Sequence, residues 1–352
     1  VRGGRILRPS AQPVTGPRST TRLNPMNHSI QRGVSLYSYQ VEVFLGQMTL
    51  DDCIAHASSL GARGIEVLPE QSFTGFPDIP QAQVDGWFAS LERHGAYPVC
   101  HDMFLDTKLH KHRKLSFDEM VASLQRDLRV AHRLGCKVMR IIVNTPPEVV
   151  VACVPMAEQL DIRMGIEVHS PFHFDHPWIL RYTELTRATG SDHVGYIPDM
   201  GMYTKRYPPV FRDRFLRQGA TPKIVEHILD AHEHRVLTDY LLMDIRKMGA
   251  NPVDLAMAET TRHNIWSHPR RMLEFMPWIF HIHAKFYEID DSGHEPAIPY
   301  EEIVPVLVEG GYKGHLSSEY EGQRHIEDAF QVDAREQVRR QHAMFERLLA
   351  AA

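Results

Sequence analysis

From residue 33 onward, short runs rich in apolar and β-branched residues alternate with longer stretches whose apolar positions recur at helical spacing. The short runs are GVSLYSY (33–39), GIEVLP (64–69), YPVCHDMF (97–104), KVMRIIV (137–143), MGIEVHS (164–170), HVGYIPDM (193–200), WIFHIHAKF (278–286) and GHLSSEYE (314–321). Helix signals lie between them. TLDDCIAHASSL opens on a Thr cap with acids in its first turn and ends at Gly61. SFDEMVASLQRDLRVAHRLG pairs Ser116 with Glu119 as a capping box and stops at Gly135. PPEVVVACVPMAEQLD places prolines in the first turn, where a missing N–H costs nothing.

Strands that alternate with helices are parallel and joined by crossovers. Eight such units predict an α/β chain closed as a (β/α)8 TIM barrel over residues 31–352 rather than an open doubly wound sheet. No G-x-G-x-x-G follows the first run, which counts against a dinucleotide fold. The segment 204–277 is longer than one βα unit needs, so it reads as an enlarged helical insertion with helices around 222–248 and 252–275. Residues 1–30 are polar and rich in Pro, Gly and Ser/Thr, with Arg2, Arg5, Arg8, Arg18 and Arg22 and no acid, and they are predicted to be a disordered extension. Met26 within it is a candidate start of translation.

Composition narrows the class. The net charge of −5, with both signs interspersed, does not suggest a nucleic-acid or membrane-surface partner. Cys53, Cys100, Cys136 and Cys153 are scattered and read as reduced thiols of a cytoplasmic protein. No apolar run is long enough to span a bilayer. With 22 histidines, a lone histidine means little and its neighbourhood decides.

Catalytic groups of such barrels come from the C-terminal ends of strands. The fifth run carries Glu167 and His169, the sixth Asp199, the seventh His281, His283 and Lys285, and the eighth Glu319. Singly, each has an ordinary explanation: a buried ion pair for a glutamate, a helix cap for Asp199. Jointly, carboxylates and imidazole on four successive strands suit one octahedral divalent ion, Mn2+ first, with Mg2+ or Co2+ as alternatives. One of His281 and His283 would ligate it while the other packs or holds substrate. Lys285 reads either as a hold on an oxyanion or sugar hydroxyl or as a charge at the barrel rim, and Asp102 stands open in the same way. The basic loop 108–114 reads as solvated, with an aglycone or partner contact as the alternative.

The order Glu, Asp, H-x-K, Glu resembles the xylose-isomerase-like sugar isomerase/epimerase superfamily. That resemblance implies Glu167, Asp199, His283 and Glu319 as metal ligands, with His283 chosen because it opens His283-Ala284-Lys285. Two positions depart from the common pattern: Asp199-Met200-Gly201-Met202 lacks the histidine of Asp-x-x-His, and Phe286 replaces the acid after H-x-K. GVSLYSYQ, FLDTKL, GIEVHSPF, IPDMGMY, RQGATP and HIHAKFYEID resemble the catalytic α-subunits of bacterial C-glycoside deglycosidases. This narrower resemblance implies a lyase acting on 3-oxo-glucosides, His169 as general base, and a smaller β-subunit in a hetero-oligomer. The chemistry is coherent. A 3-oxo group acidifies the C2 proton, an imidazole can accept it near neutral pH, and loss of the aglycone completes a β-elimination. Return of the proton to carbon would instead make a keto-sugar epimerase or isomerase. The other readings weighed are a multi-metal DNA-repair nuclease, which the negative charge disfavours, and a barrel that binds sugar without catalysis.

Overall fold

The computed structural model describes residues 29–352, so the extension expected over 1–30 lies, as far as residue 28, outside the described residues. Eight parallel strands form the centre: β1 (Gln31–Ser35), β2 (Gly64–Val67), β3 (Tyr97–Met103), β4 (Val138–Ile141), β5 (Arg163–Val168), β6 (Val194–Pro198), β7 (Ile282–Phe286) and β8 (His315–Tyr320). They are hydrogen-bonded in the order β6-β5-β4-β3-β2-β1-β8-β7. The two outer strands of that order meet through the bridges Tyr196–Ile279 and Asp199–His283, which close the sheet into the TIM barrel. Every residue of β2 and β6 is buried, because parallel strands are covered by helices outside and by packed side chains within.

The closing seam is the thinnest part of the wall. Two isolated bridges hold β6 to β7, whereas β7 pairs with β8 through five residues. Gly195 is what lets the chain pass there: a Cβ at that position would collide with the Trp278 carbonyl. Outside the barrel, the expected caps form. Thr49 with Asp52 and Ser116 with Glu119 each satisfy one another's backbone N–H groups, a device worth about 1 kcal/mol per cap. The helix Phe117–Arg133 buries Leu124, Leu128 and Ala131 along one stripe against the sheet.

Some boundaries differ from the sequence reading. The first strand ends at Ser35 and tightens into a 3-10 turn over Leu36–Tyr39. The seventh begins at Ile282, because Pro277 sits in a 3-10 turn over Met276–Trp278 and cannot donate to a ladder. The segment 204–277 carries four helices, Pro209–Arg217, Pro222–Glu233, Thr238–Lys247 and Pro252–Thr260. The helix expected over 222–248 breaks because Arg235 adopts a left-handed conformation (φ 58°) that ends one helix before the next begins. The one expected over 252–275 stops at Thr260, and Pro269 opens a separate 3-10 turn. All four cysteines are buried and unpaired. Among the described residues, no helix is long and apolar enough to cross a membrane.

Candidate metal centre

The ends of β5, β6, β7 and β8 bring Glu167, Asp199, His283 and Glu319 together. One ligand atom from each lies within 4.8 Å of all the others, and all four residues are buried. Strand alternation explains the convergence, since inward-facing positions recur every second residue and the closing bridge sets Asp199 beside His283. Asp199 does two jobs. Its Oδ1 accepts the Gly201 N–H at 2.6 Å as a cap, which leaves Oδ2 for the centre.

Charge is unevenly balanced here. Glu66, Asp102, Glu167, Asp199 and Glu319 are buried within one neighbourhood, and the permanent cations among them are Arg140 and Lys285. Burial pushes Glu319 well above the usual carboxylate range, against the pull of His283 and Lys285. For Glu167 burial is outweighed by Arg140 and His283, which hold it below that range. Burial alone would lower the His283 imidazole; Glu66 and Glu319, helped by Glu167, hold it well above its ordinary value. Carboxylate oxygens face both ring nitrogens, Glu167 Oε1 at 2.9 Å from Nδ1 and Glu66 Oε1 at 3.2 Å from Nε2. Asp199 Oδ2 and Glu319 Oε2 lack a well-directed hydrogen bond, although Lys285 Nζ stands 2.6 Å from Asp199 Oδ2. Hard oxygen donors with unspent lone pairs, plus one imidazole, fit a divalent cation of the Mn2+ or Mg2+ kind.

The remaining expected site residues fall in different places. Lys285 reaches the quartet, with Asp199 Oδ2 at 2.6 Å, Glu321 Oε2 at 3.5 Å and Glu319 Oε2 at 4.0 Å. Asp102 lies on the other side of the His283 ring, bonded to Arg140 Nε at 3.1 Å, and burial lifts its carboxyl to about 7 despite that guanidinium. His281 joins Glu66 and Cys100 instead of the quartet, with its Nε2 2.5 Å from Glu66 Oε2. It shares a face with His283 but sits one layer deeper, as residues two apart on a strand must. His169 is the first residue past β5 and half-buried, so it belongs to the loop rather than to the strand itself. Its Nδ1 stands 2.8 Å from the Ser170 carbonyl. A carbonyl can only accept, so the proton sits on Nδ1 and the Nε2 lone pair is free to take another.

Phe286, which stands where an acid is common, is fully buried against Tyr320, with ring centroids 5.0 Å apart. In the basic loop, Arg113 is spent on the Glu119 carboxylate, at 2.6 and 2.8 Å. The sequence reading passed over Glu66 and Arg140. Each is a lone charge inside an apolar strand, GIEVLP and KVMRIIV, and that signal was present at both positions.

A family model described as xylose isomerase-like TIM barrel matches residues 54–348. A 3'-dehydrocarminate deglycosidase alpha subunit of Microbacterium sp is 30% identical over 311 residues, 82% of this chain and 88% of that protein. A C-glycoside deglycosidase alpha subunit of Arthrobacter globiformis is 30% identical over 338 residues, 92% of this chain and 93% of that protein. Among solved structures, an L-ribulose 3-epimerase superposes with a TM-score of 0.54 at 12% identity, covering 92% of this chain and 95% of its own. A sugar phosphate isomerase/epimerase from Parabacteroides distasonis gives 0.53 at 12% identity, with 92% and 96% covered. At that identity the structures speak to fold alone.

Proposed function

The chain belongs to the xylose isomerase-like TIM barrel family, and on that premise we propose that it is a metal-dependent lyase that cleaves the glycosidic bond, carbon–carbon included, of 3-oxo-glucosides. The observation that carries this reading is the convergence of Glu167, Asp199, His283 and Glu319 with oxygens left unspent. The substrate class we propose is supported by the names of the curated relatives, a 3'-dehydrocarminate deglycosidase and a C-glycoside deglycosidase alpha subunit. We further propose that the barrel works with a smaller β-subunit, since those relatives are named alpha subunits. Four unpaired thiols favour a reducing compartment, and we assign the protein to the cytoplasm.

A divalent cation held by Glu167, Asp199, His283 and Glu319, with Mn2+ the ion we favour, supplies Lewis acidity beside a carbonyl. The rest of the work falls to side chains. His169 Nε2 takes the C2 proton, and the electron pair of that C–H bond moves toward the C3 oxygen. Lys285 offers positive charge and N–H donors where that oxygen becomes negative. When the C3 carbonyl re-forms, the C2 pair closes a C1–C2 double bond. The aglycone then leaves with the pair of its C1 bond and takes up a proton, so no external oxidant or reductant is needed. The insertion is tied to the loop after β6, where Ser267 N–H donates to the Met202 carbonyl at 3.0 Å.

Incubation of the Mn2+-loaded protein and its partner subunit with a 3-oxo C-glucoside and, separately, a free keto-sugar tests the reading. Mass spectrometry and NMR should find free aglycone and an unsaturated 3-oxo sugar. Conversion of the keto-sugar to its epimer, with the C-glucoside untouched, would replace the lyase with an epimerase.

A further inference from the structure

We infer that Glu66 is a positioning residue: its carboxylate accepts the Nε2 proton of His283 and thereby commits the Nδ1 lone pair to the quartet. This rests on the reading of the quartet as a cation site. A neutral imidazole carries one N–H and one lone pair, and its surroundings decide which nitrogen holds which. The two sides of His283 differ. Nδ1 hydrogen-bonds Glu167 Oε1 at 2.9 Å and lies 3.6 Å from Glu319 Oε2, so the proton there is the one a cation held by the quartet would displace, whereas Nε2 faces Glu66 Oε1 at 3.2 Å. Nε2 and Glu66 Oε1 face each other 3.2 Å apart without a well-directed hydrogen bond to any group, and both residues are fully buried. Asp102 is a poorer acceptor for that proton, being 3.8 Å away and engaged with Arg140. The second oxygen of Glu66 is clamped by His281 Nε2 at 2.5 Å, so the carboxylate cannot swing aside. His281 just ahead of β7, Glu66 on β2 and His283 on β7 thus form one buried chain of contacts. Metal-ligating histidines are generally oriented by a carboxylate on the far nitrogen, and loss of that carboxylate weakens binding.

The test titrates Mn2+ alone into the full chain and two variants, Glu66→Gln and Glu66→Leu, reading free Mn2+ by electron paramagnetic resonance. Both variants remove the charge; only Gln keeps an oxygen able to accept the Nε2 proton. Glu66→Leu should bind about 10- to 100-fold more weakly than wild type. Glu66→Gln should fall between them, while circular dichroism shows both folded. Equal affinities for the two variants would overturn the proposal, because the charge alone would then account for the loss. So would an unchanged affinity in either, or a second ion in wild type that Glu66→Leu removes, which would make Glu66 a ligand. Should the Leu variant not fold, a loss under twofold in Glu66→Gln overturns it. Wild type that binds no Mn2+ would instead defeat the metal-centre reading itself.

Discussion

Two halves of the barrel mouth bury charge in different ways. On the β2–β4 side, Glu66, Asp102 and Arg140 answer one another and their neighbours: Arg140 Nε bonds Asp102 at 3.1 Å, and Glu66 Oε2 takes His281. On the β5–β8 side, Asp199 and Glu319 keep oxygens without a well-directed partner, and Lys285 is the permanent cation within reach of both. Both sides are equally hidden from water. The difference teaches that burial does not mark a binding site; an unmatched set of hard donors does. The first half is a scaffold whose charges are mostly answered internally, Glu66 Oε1 apart, and the second, with two such oxygens and four converging donors, asks for a cation from outside.

The largest expected effect breaks that contrast outright. Glu167→Gln should drop metal content from one ion per chain to near zero by elemental analysis, whereas Asp102→Asn should leave the ion in place. Equal loss in both would erase the distinction between the halves. Next comes the base. His169→Gln should keep the metal and lose turnover by roughly 10²–10⁴-fold, with C2 hydrogen exchange into deuterated solvent falling in parallel. Exchange at the wild-type rate would move the role elsewhere, with Glu319 the next candidate. Arg140 is the cation that both halves share, 3.8 Å from Glu167 Oε2 as well as bonded to Asp102. Its change to Met should cost about 3–5 kcal/mol in urea unfolding, the scale for stranding a buried charge; a loss below about 1 kcal/mol would show the network to be dispensable.

The smallest effect is a slope. Burial raises the Asp102 pKa to about 7 in the folded protein, against about 3.9 when unfolded. Between those values the unfolded chain sheds the proton first, so this group's contribution is full below about pH 4 and declines until pH 7. Asp102→Asn should therefore gain on wild type in metal-free unfolding measurements as pH rises through that window. A constant difference between the two would mean that Asp102 stays ionised.

Much of this was legible in the sequence. The eight runs and their intervening caps gave the barrel, because strand and helix periodicities are local, and Thr49–Asp52 and Ser116–Glu119 formed as read. That four strand ends in a row carry donors was legible for the same reason, whereas the choice of His283 over His281 came from the family resemblance. Boundaries set by tertiary closure were less so. The start of β7 at Ile282 depends on how Trp278 threads past Gly195, and the break at Arg235 depends on a backbone conformation that its residue type does not announce. Glu66 and Arg140 were visible as lone charges in apolar strands, yet only the barrel geometry shows that both come to His283 and Glu167. His169 was expected within the fifth run beside Glu167 and lies one step past the end of β5, where the Ser170 carbonyl fixes its tautomer.

Where a cation sits decides between the two halves most directly. Crystals of the protein grown with Mn2+ and measured on both sides of the manganese absorption edge would locate it by anomalous scattering. The account predicts one peak, enclosed by Glu167, Asp199, His283 and Glu319, with His283 turned to it through Nδ1. A peak among Glu66, Asp102 and His283 Nε2, or none at either place in protein that turns over substrate, would contradict it.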